Sequence, residues 1–172
     1  MNEKVLETMK ELGFVTIPVE NFYLFEYEGK GFLYYVDNEG DSFLSVVLPN
    51  LMDSDSDDEE EHEDKFLDLL RMQVEVNNKV KYVKAFVRQD SLWLSYEREV
   101  YAEEDLKELI PKMILHLLGA SEFVRSRLTI SQMLDKIDAD DASDCDTNDL
   151  LEITDEDVPL FEDVYEAECV ES

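Results

Sequence analysis

Some residues near the C-terminal end have the types and spacing of a cation site. Between Asp144 and Asp155, side-chain oxygens fall at loop positions 1, 3, 5, 9 and 12, on Asp144, Asp146, Asn148, Glu152 and Asp155. Leu151 takes the apolar eighth position, as in a calcium-binding loop of the EF-hand kind, and an all-oxygen set of this sort chooses the hard cation Ca²⁺. The tight turn wants glycine at the sixth position, however, and Asp149 stands there. The twelfth position holds Asp155 instead of the longer, bidentate Glu. In so acidic a stretch composition alone produces such spacing, so diffuse, weak cation binding is expected and no resident metal or cofactor.

Other chemistry is sparse. The two histidines are His62, inside a run of acids, and His116, on the flank of an apolar helical stripe. Cys145 and Cys169 are the only cysteines, and neither has a histidine close in sequence. The chain has no glycine-rich phosphate loop, no G-x-S-x-G and no H-E-x-x-H. A catalytic site needs pre-positioned groups on rigid elements, and no such set is visible, so no enzymatic activity is expected. The two cysteines are too few for a secreted disulfide scaffold and read as reduced thiols of a cytoplasmic protein. The N-terminus lacks the basic and long apolar regions of a signal peptide.

The 172 residues carry 44 acids against 15 bases, a formal charge of −29. That balance argues against nucleic acid as a direct ligand, because phosphate binding needs a basic footprint. It argues equally against an anionic membrane surface. The charge is concentrated: residues 53–64 hold nine acids and no base, and residues 135–172 hold 16 acids and the single base Lys136. The rest is a nearly ordinary domain with a net charge of −5. Like-charge blocks stay solvated. Hence the expected organisation is a domain over 1–134 with an acidic loop at 53–64, followed by an acidic, flexible tail over 135–172. Truncation after Leu134 should leave a folded domain.

The elements follow from periodicity. Val5, Leu6, Met9 and Leu12 have helical spacing before Gly13. Three strand-like runs come next, Asn21–Tyr27, Phe32–Val36 and Phe43–Leu48, joined by turn signals at Glu28–Gly31 and Asp37–Asp41. Pro49-Asn50 is expected to end the third. Phe66, Leu69, Leu70 and Val74 predict a helix over about 60–77, with acids at its positive end. Lys79–Arg88 and Leu92–Arg98 alternate as a strand pair. The clearest signal is Leu106, Leu109, Ile110, Met113, Ile114, Leu117 and Leu118, a continuous apolar helical stripe. Pro111 within it predicts a kink or a weakened turn. Gly119 either ends this helix or lets Phe123, Val124 and Leu128 continue it, and beyond about Gln132 the pattern dissolves. The predicted class is α+β: helix, three-strand antiparallel meander, helix, two-strand hairpin, helix, with an acidic C-terminal tail.

That order, with the segment VEVNNKVKYVKAFVRQDSLWLSYEREVYAEEDLKELIPKMILHLL, resembles the YbjN family. The matching features are the helix ending in Val76-Asn77-Asn78, the hairpin over 79–98 and the acid-started helix from Glu103, within a resemblance covering about residues 1–128. It implies the fold of type III secretion chaperones and a bacterial cytoplasmic protein acting in regulation or as a chaperone-like adaptor. It implies no catalytic residues.

A protein or peptide partner is therefore expected. Strands 21–27 and 32–36 are apolar on both faces, and in an antiparallel sheet that means burial on both sides. Tyr23, Phe25, Tyr27 and Tyr34 are the candidate contact residues. The cover is a helix, a client, a second copy in a homodimer, or the tail. Leu160, Phe161 and Tyr165 lie among acids in that tail and are candidate anchors for self-docking, since a purely solvating segment has no need of them.

Overall fold

The apolar stripe read from the sequence becomes one face of a long helix, α3 (Leu106–Asp141). Asp105 begins it, accepting the backbone N–H of Lys107 at 2.9 Å. Leu106, Ile110, Met113, Ile114 and Leu117 are buried along it. Of the two readings at Gly119, continuation is the one observed: Val124 is fully buried a turn and a half later, and Phe123 and Leu128 pack against the same core. The structure is a computed structural model, and it describes residues 2–35, 43–101 and 103–141. The chain divides into two units, 1–134 and 135–172. The architecture below is that of the first.

The other elements are α1 (Asn2–Glu11), β1 (Ile17–Val19), β2 (Phe22–Tyr27), β3 (Lys30–Tyr35), β4 (Phe43–Asp53), α2 (Glu59–Lys79), β5 (Lys84–Arg88) and β6 (Ser91–Glu99). The six strands form one antiparallel sheet in the order β1-β2-β3-β4-β6-β5. The fold is α+β, and helix, meander, helix, hairpin, helix follow one another as the sequence predicts.

Turn chemistry sets the registers. Glu28 and Gly29, between β2 and β3, both have positive φ, as do Gln89 and Asp90 between β5 and β6. Two such residues are what a two-residue hairpin of type I′ requires, because its twist matches that of the strands.

Five boundaries differ from the sequence expectation. The helix α3 runs on to Asp141, past the fading of the pattern near Gln132 and into the segment expected as tail, since no glycine or proline interrupts it after Gly119. The other four also have local reasons. β1 was not anticipated: three residues including Pro18 give no alternation to read, and proline is tolerated there because β1 is an edge strand. β4 does not stop at Pro49-Asn50. It shifts register between Leu48 and Met52, with Asn50 at φ 51°, so a bulge absorbs the missing proline N–H. The acidic run 53–64 is only partly loop. Asp53 closes β4, and Glu59–Asp64 form the first turns of α2, because Asp58 caps the helix by accepting the N–H groups of Glu60 and Glu61 at 3.0 and 3.1 Å. Finally, α2 takes Lys79, and the strand expected from there begins at Lys84, since Tyr82 at φ 69° cannot belong to a strand.

Helices cover one face of the sheet. Val5 and Met9 of α1, Leu69, Met72 and Val76 of α2, and the α3 stripe pack on Phe25, Phe32, Tyr34, Leu44, Val46 and Leu94. The rings of Phe25 and Phe32 stack at 5.5 Å, with Phe14 edge-on to Phe25 at 5.3 Å. Asn77, near the end of α2, holds the edge strand β5 by accepting Ala85 N–H at 2.8 Å and donating to Ala85 C=O at 3.0 Å.

Candidate functional site

The aromatic hairpin β2–β3 is where the sequence placed a partner. Register assigns its side chains to faces. Phe25 and Tyr34 point under the helices and are fully buried, and Tyr23 and Tyr27 are half-buried against the same core. Phe25 and Tyr34 thus have no surface to offer a partner. The Tyr34 hydroxyl donates to Asn2 Oδ1 at 2.6 Å, fastening α1 to the sheet. Burial pushes its pKa up from 10.0 to about 12, and the neighbouring Tyr23 adds to the rise. The sheet's other face holds a smaller apolar cluster, Leu33, Val47 and Trp93, ringed by Phe22, Leu24, Tyr35 and Phe86. No described helix contributes to it. Arg88 lies 5.0 Å from the Trp93 ring centroid and donates to Tyr35 Oη at 3.1 Å. Leu33, Val47 and Trp93 are already buried among these neighbours.

Leu160, Phe161 and Tyr165 lie outside the described residues, as do the candidate cation ligands Asp144, Asp146, Asn148, Glu152 and Asp155. Among the described residues, no cluster of three or more His, Cys, Asp or Glu side chains could hold a metal ion. The His62 ring stacks on Phe66 at 6.5 Å. His116 meets Tyr82 and Tyr96 at 5.2 and 5.7 Å. Both histidines are helix residues with aromatic neighbours.

The accessible apolar surface lies elsewhere, and α2 creates it. This helix carries two apolar rows at the same spacing. Leu69, Met72 and Val76, at i, i+3 and i+7, are buried against the sheet. Leu67, Leu70 and Val74 repeat that spacing on the side turned away from the sheet, by the 3.6-residue turn of a helix. The sequence groups Leu70 and Val74 with Phe66 and Leu69 as the periodic residues of one helix, without saying which are core. The structure divides them: Leu69 is buried, whereas 39% of Leu70 and 59% of Val74 are exposed, with 48% of Leu67. Across from them, Ile130 of α3 is 48% exposed, and Met133, further along that helix, 59%. Between the helices lies a groove of about 750 Å³, whose apolar lining is Leu67, Leu70, Met72 and Val74 of α2, Leu128 and Ile130 of α3, and Met52 of β4.

The charged groups lining the groove pair with one another. Arg127 Nε meets Glu75 Oε2 at 3.3 Å and ties α3 to α2, while its guanidinium lies 5.5 Å from the Phe123 ring centroid. Arg71 pairs with Asp68 at 2.9 Å. Just upstream, the nine acids of residues 53–64 are all exposed. Among them, Glu61 accepts from Ser56 Oγ at 2.6 Å, and that bond, with Lys65 beside it, holds its carboxyl below the usual range. Any stability this adds is present above the ordinary carboxylate pKa and lost as pH falls through the lowered one. The trough is apolar, its lining charges balance, and its approach is acidic. It holds no set of groups arranged for proton or group transfer. The interleaved rows 67/70/74 and 69/72/76 were the sequence signal for it: together they make an apolar band too wide for a single buried face.

Fold and groove together define a two-layer α+β domain with an apolar helix–helix trough on its surface. No family model matches the chain, and no curated protein does. Among solved structures, the chain is similar in fold to an uncharacterized protein from Methanothermobacter thermautotrophicus. That likeness has a TM-score of 0.50 at 14% sequence identity and covers 73% of this chain and 97% of the other. At that identity it shows the fold alone. Among the described residues, no helix is long and apolar enough to cross a membrane.

Proposed function

We propose that this protein works by binding protein, as a non-catalytic, chaperone-like adaptor or regulator of the YbjN-like kind, in the cytoplasm. The observation that carries the reading is the row Leu67, Leu70 and Val74, exposed beside Ile130 around an apolar groove. Nothing in the core requires these side chains, and leaving them in water forgoes roughly 1.5–3 kcal/mol for each that a partner would bury completely. Contiguous exposed apolar surface with a polar rim marks an interaction site. The aromatic hairpin residues Tyr23, Phe25, Tyr27 and Tyr34 were the contact expected from sequence; the proposed contact is instead on α2 and α3.

The test is a photo-crosslinking amino acid at Val74 in the native host, with Glu26 on β2 as the control position. A discrete protein adduct at Val74, absent at Glu26 and abolished by Leu70→Lys, is the expected result. No adduct at Val74, or the same adducts at both positions, refutes the assignment.

A further inference from the structure

We infer that the groove takes a cationic amphipathic helix of a partner protein; this rests on reading the groove as the binding site and deepens it. The backbone decides the shape of the occupant. Both walls are helices, whose N–H and C=O groups are already paired along their length. They offer no open sheet edge for an extended peptide to join. A proline-rich segment docks in aromatic-lined grooves, and the lining here is Met, Leu, Val and Ile. What remains is the packing of helix ridges into the trough between two helices. The row from Leu67 to Val74 spans about 10 Å along α2, enough to receive anchors at i, i+3 and i+7 of a third helix. Met52 and Met72 in the lining adapt to irregular side chains.

Charge decides the sign. Arg71 and Arg127, the bases lining the groove, are each paired with an acid beside them, Asp68 and Glu75. Lys65, the first base after the acidic run, pairs with Glu61 at 2.9 Å. The exposed acids of 53–64 therefore set the field at the Leu67 end, within a chain of net charge −29. An acidic helix is repelled there, and so is a second copy of this chain, which would bring the same acids to a self-complementary contact. Lysines or arginines flanking the apolar face of the incoming helix are attracted.

The test uses the full chain and three labelled synthetic peptides of about 18 residues. One is a Leu/Lys amphipathic helix. The second has the same composition scrambled so that no apolar face forms. The third has the first one's apolar face with Glu in place of Lys. Binding is read by fluorescence anisotropy at about 0.15 M salt. The Leu/Lys helix is expected to bind at least about tenfold more tightly than either of the others. Leu70→Asp with Val74→Asp, and separately Ile130→Asp, should reduce it to the level of the scramble while leaving the melting curve in place. Glu60→Lys, Glu63→Lys and Asp64→Lys together should close the gap between the Leu/Lys and Leu/Glu helices. If the scramble binds as well as the helix, or the groove variants change nothing, contact is by charge alone, and both the groove assignment and this inference fall. If the Leu/Glu helix binds equally and remains sensitive to Leu70→Asp with Val74→Asp, the groove stands and the cationic partner is wrong. Self-association in sedimentation that the groove variants abolish would give the groove to a second copy and overturn the inference.

Discussion

Replacing Tyr34 by Phe tests whether the aromatic hairpin serves the core or a partner. Tyr34 is fully buried, its hydroxyl bonded to Asn2 Oδ1 at 2.6 Å, and its pKa is pushed up to about 12. The unfolded chain has an ordinary tyrosine near 10.0. Between those values the native state holds a proton that the unfolded state has released. Stability from this group is therefore fully present below pH about 10 and is lost as pH rises through about 12. Two pH units at about 1.4 kcal/mol each give a total loss of about 3 kcal/mol, roughly half of it by pH 11. The assay is urea unfolding at intervals from pH 9 to pH 12 on both proteins, which cancels the titration of the other tyrosines. Tyr34→Phe should cost about 1 kcal/mol at neutral pH, for the hydrogen bond to Asn2, and should then fall less steeply than the parent above pH 10. Parallel curves for the two proteins would mean that Tyr34 titrates normally, and its assignment to the core would fail.

Five other outcomes follow from the packing. Leu109 is buried on α3, so Leu109→Ala should cost about 2–5 kcal/mol in chemical denaturation. Lys107 makes an exposed pair with Glu11 at 3.1 Å, and Lys107→Ala should cost no more than about 1 kcal/mol by the same measurement. Asn77→Ala removes both hydrogen bonds to Ala85 and should lower stability by about 1–2 kcal/mol, with the Ala85 amide losing exchange protection first. Asp58→Ala should cost about 1 kcal/mol for the lost cap, seen as a lower melting temperature and fraying of the first turn of α2 by amide exchange. A chain ending at Leu134 should keep a single cooperative thermal transition, since the packing described here lies within residues 1–134.

Elements with a long period were legible in the sequence. The α3 stripe repeats over more than three turns, and no other structure satisfies it. Hairpins were legible because Glu28-Gly29 and Gln89-Asp90 interrupt strand-like runs. What escaped were features set by a single backbone angle. Tyr82 and Asn50 adopt positive φ without being glycine, so the start of β5 and the bulge of β4 leave no compositional mark. β1 escaped because its three residues only acquire meaning once β2 pairs with them, Ile17 opposite Leu24 and Val19 opposite Phe22.

The candidate site was harder to read, for a related reason. Period-two alternation says that a strand has two faces and not which of them the helices will cover. Both faces of β2 and β3 are apolar, so Tyr23, Phe25, Tyr27 and Tyr34 seemed as available as Phe22, Leu24, Leu33 and Tyr35. On α2 the ambiguity is one of phase. Leu67, Leu69, Leu70, Met72, Val74 and Val76 crowd the helix with apolar residues, and only packing against β4, β5 and β6 decides which row is core.

The acids before that row divide by role. Asp58 is structural, because its carboxylate is bonded to two backbone N–H groups. Glu59, Glu60 and Glu61 lie in the first turn, where negative charge complements the helix dipole by only about 0.3–1 kcal/mol each. Glu63 and Asp64 lie beyond that turn, where the dipole gain has faded, and they are exposed. They add self-repulsion to an already anionic chain and gain little in return within the fold. A cost without a local benefit, placed beside an apolar groove whose own arginines are paired, is what selection among partners by charge would require.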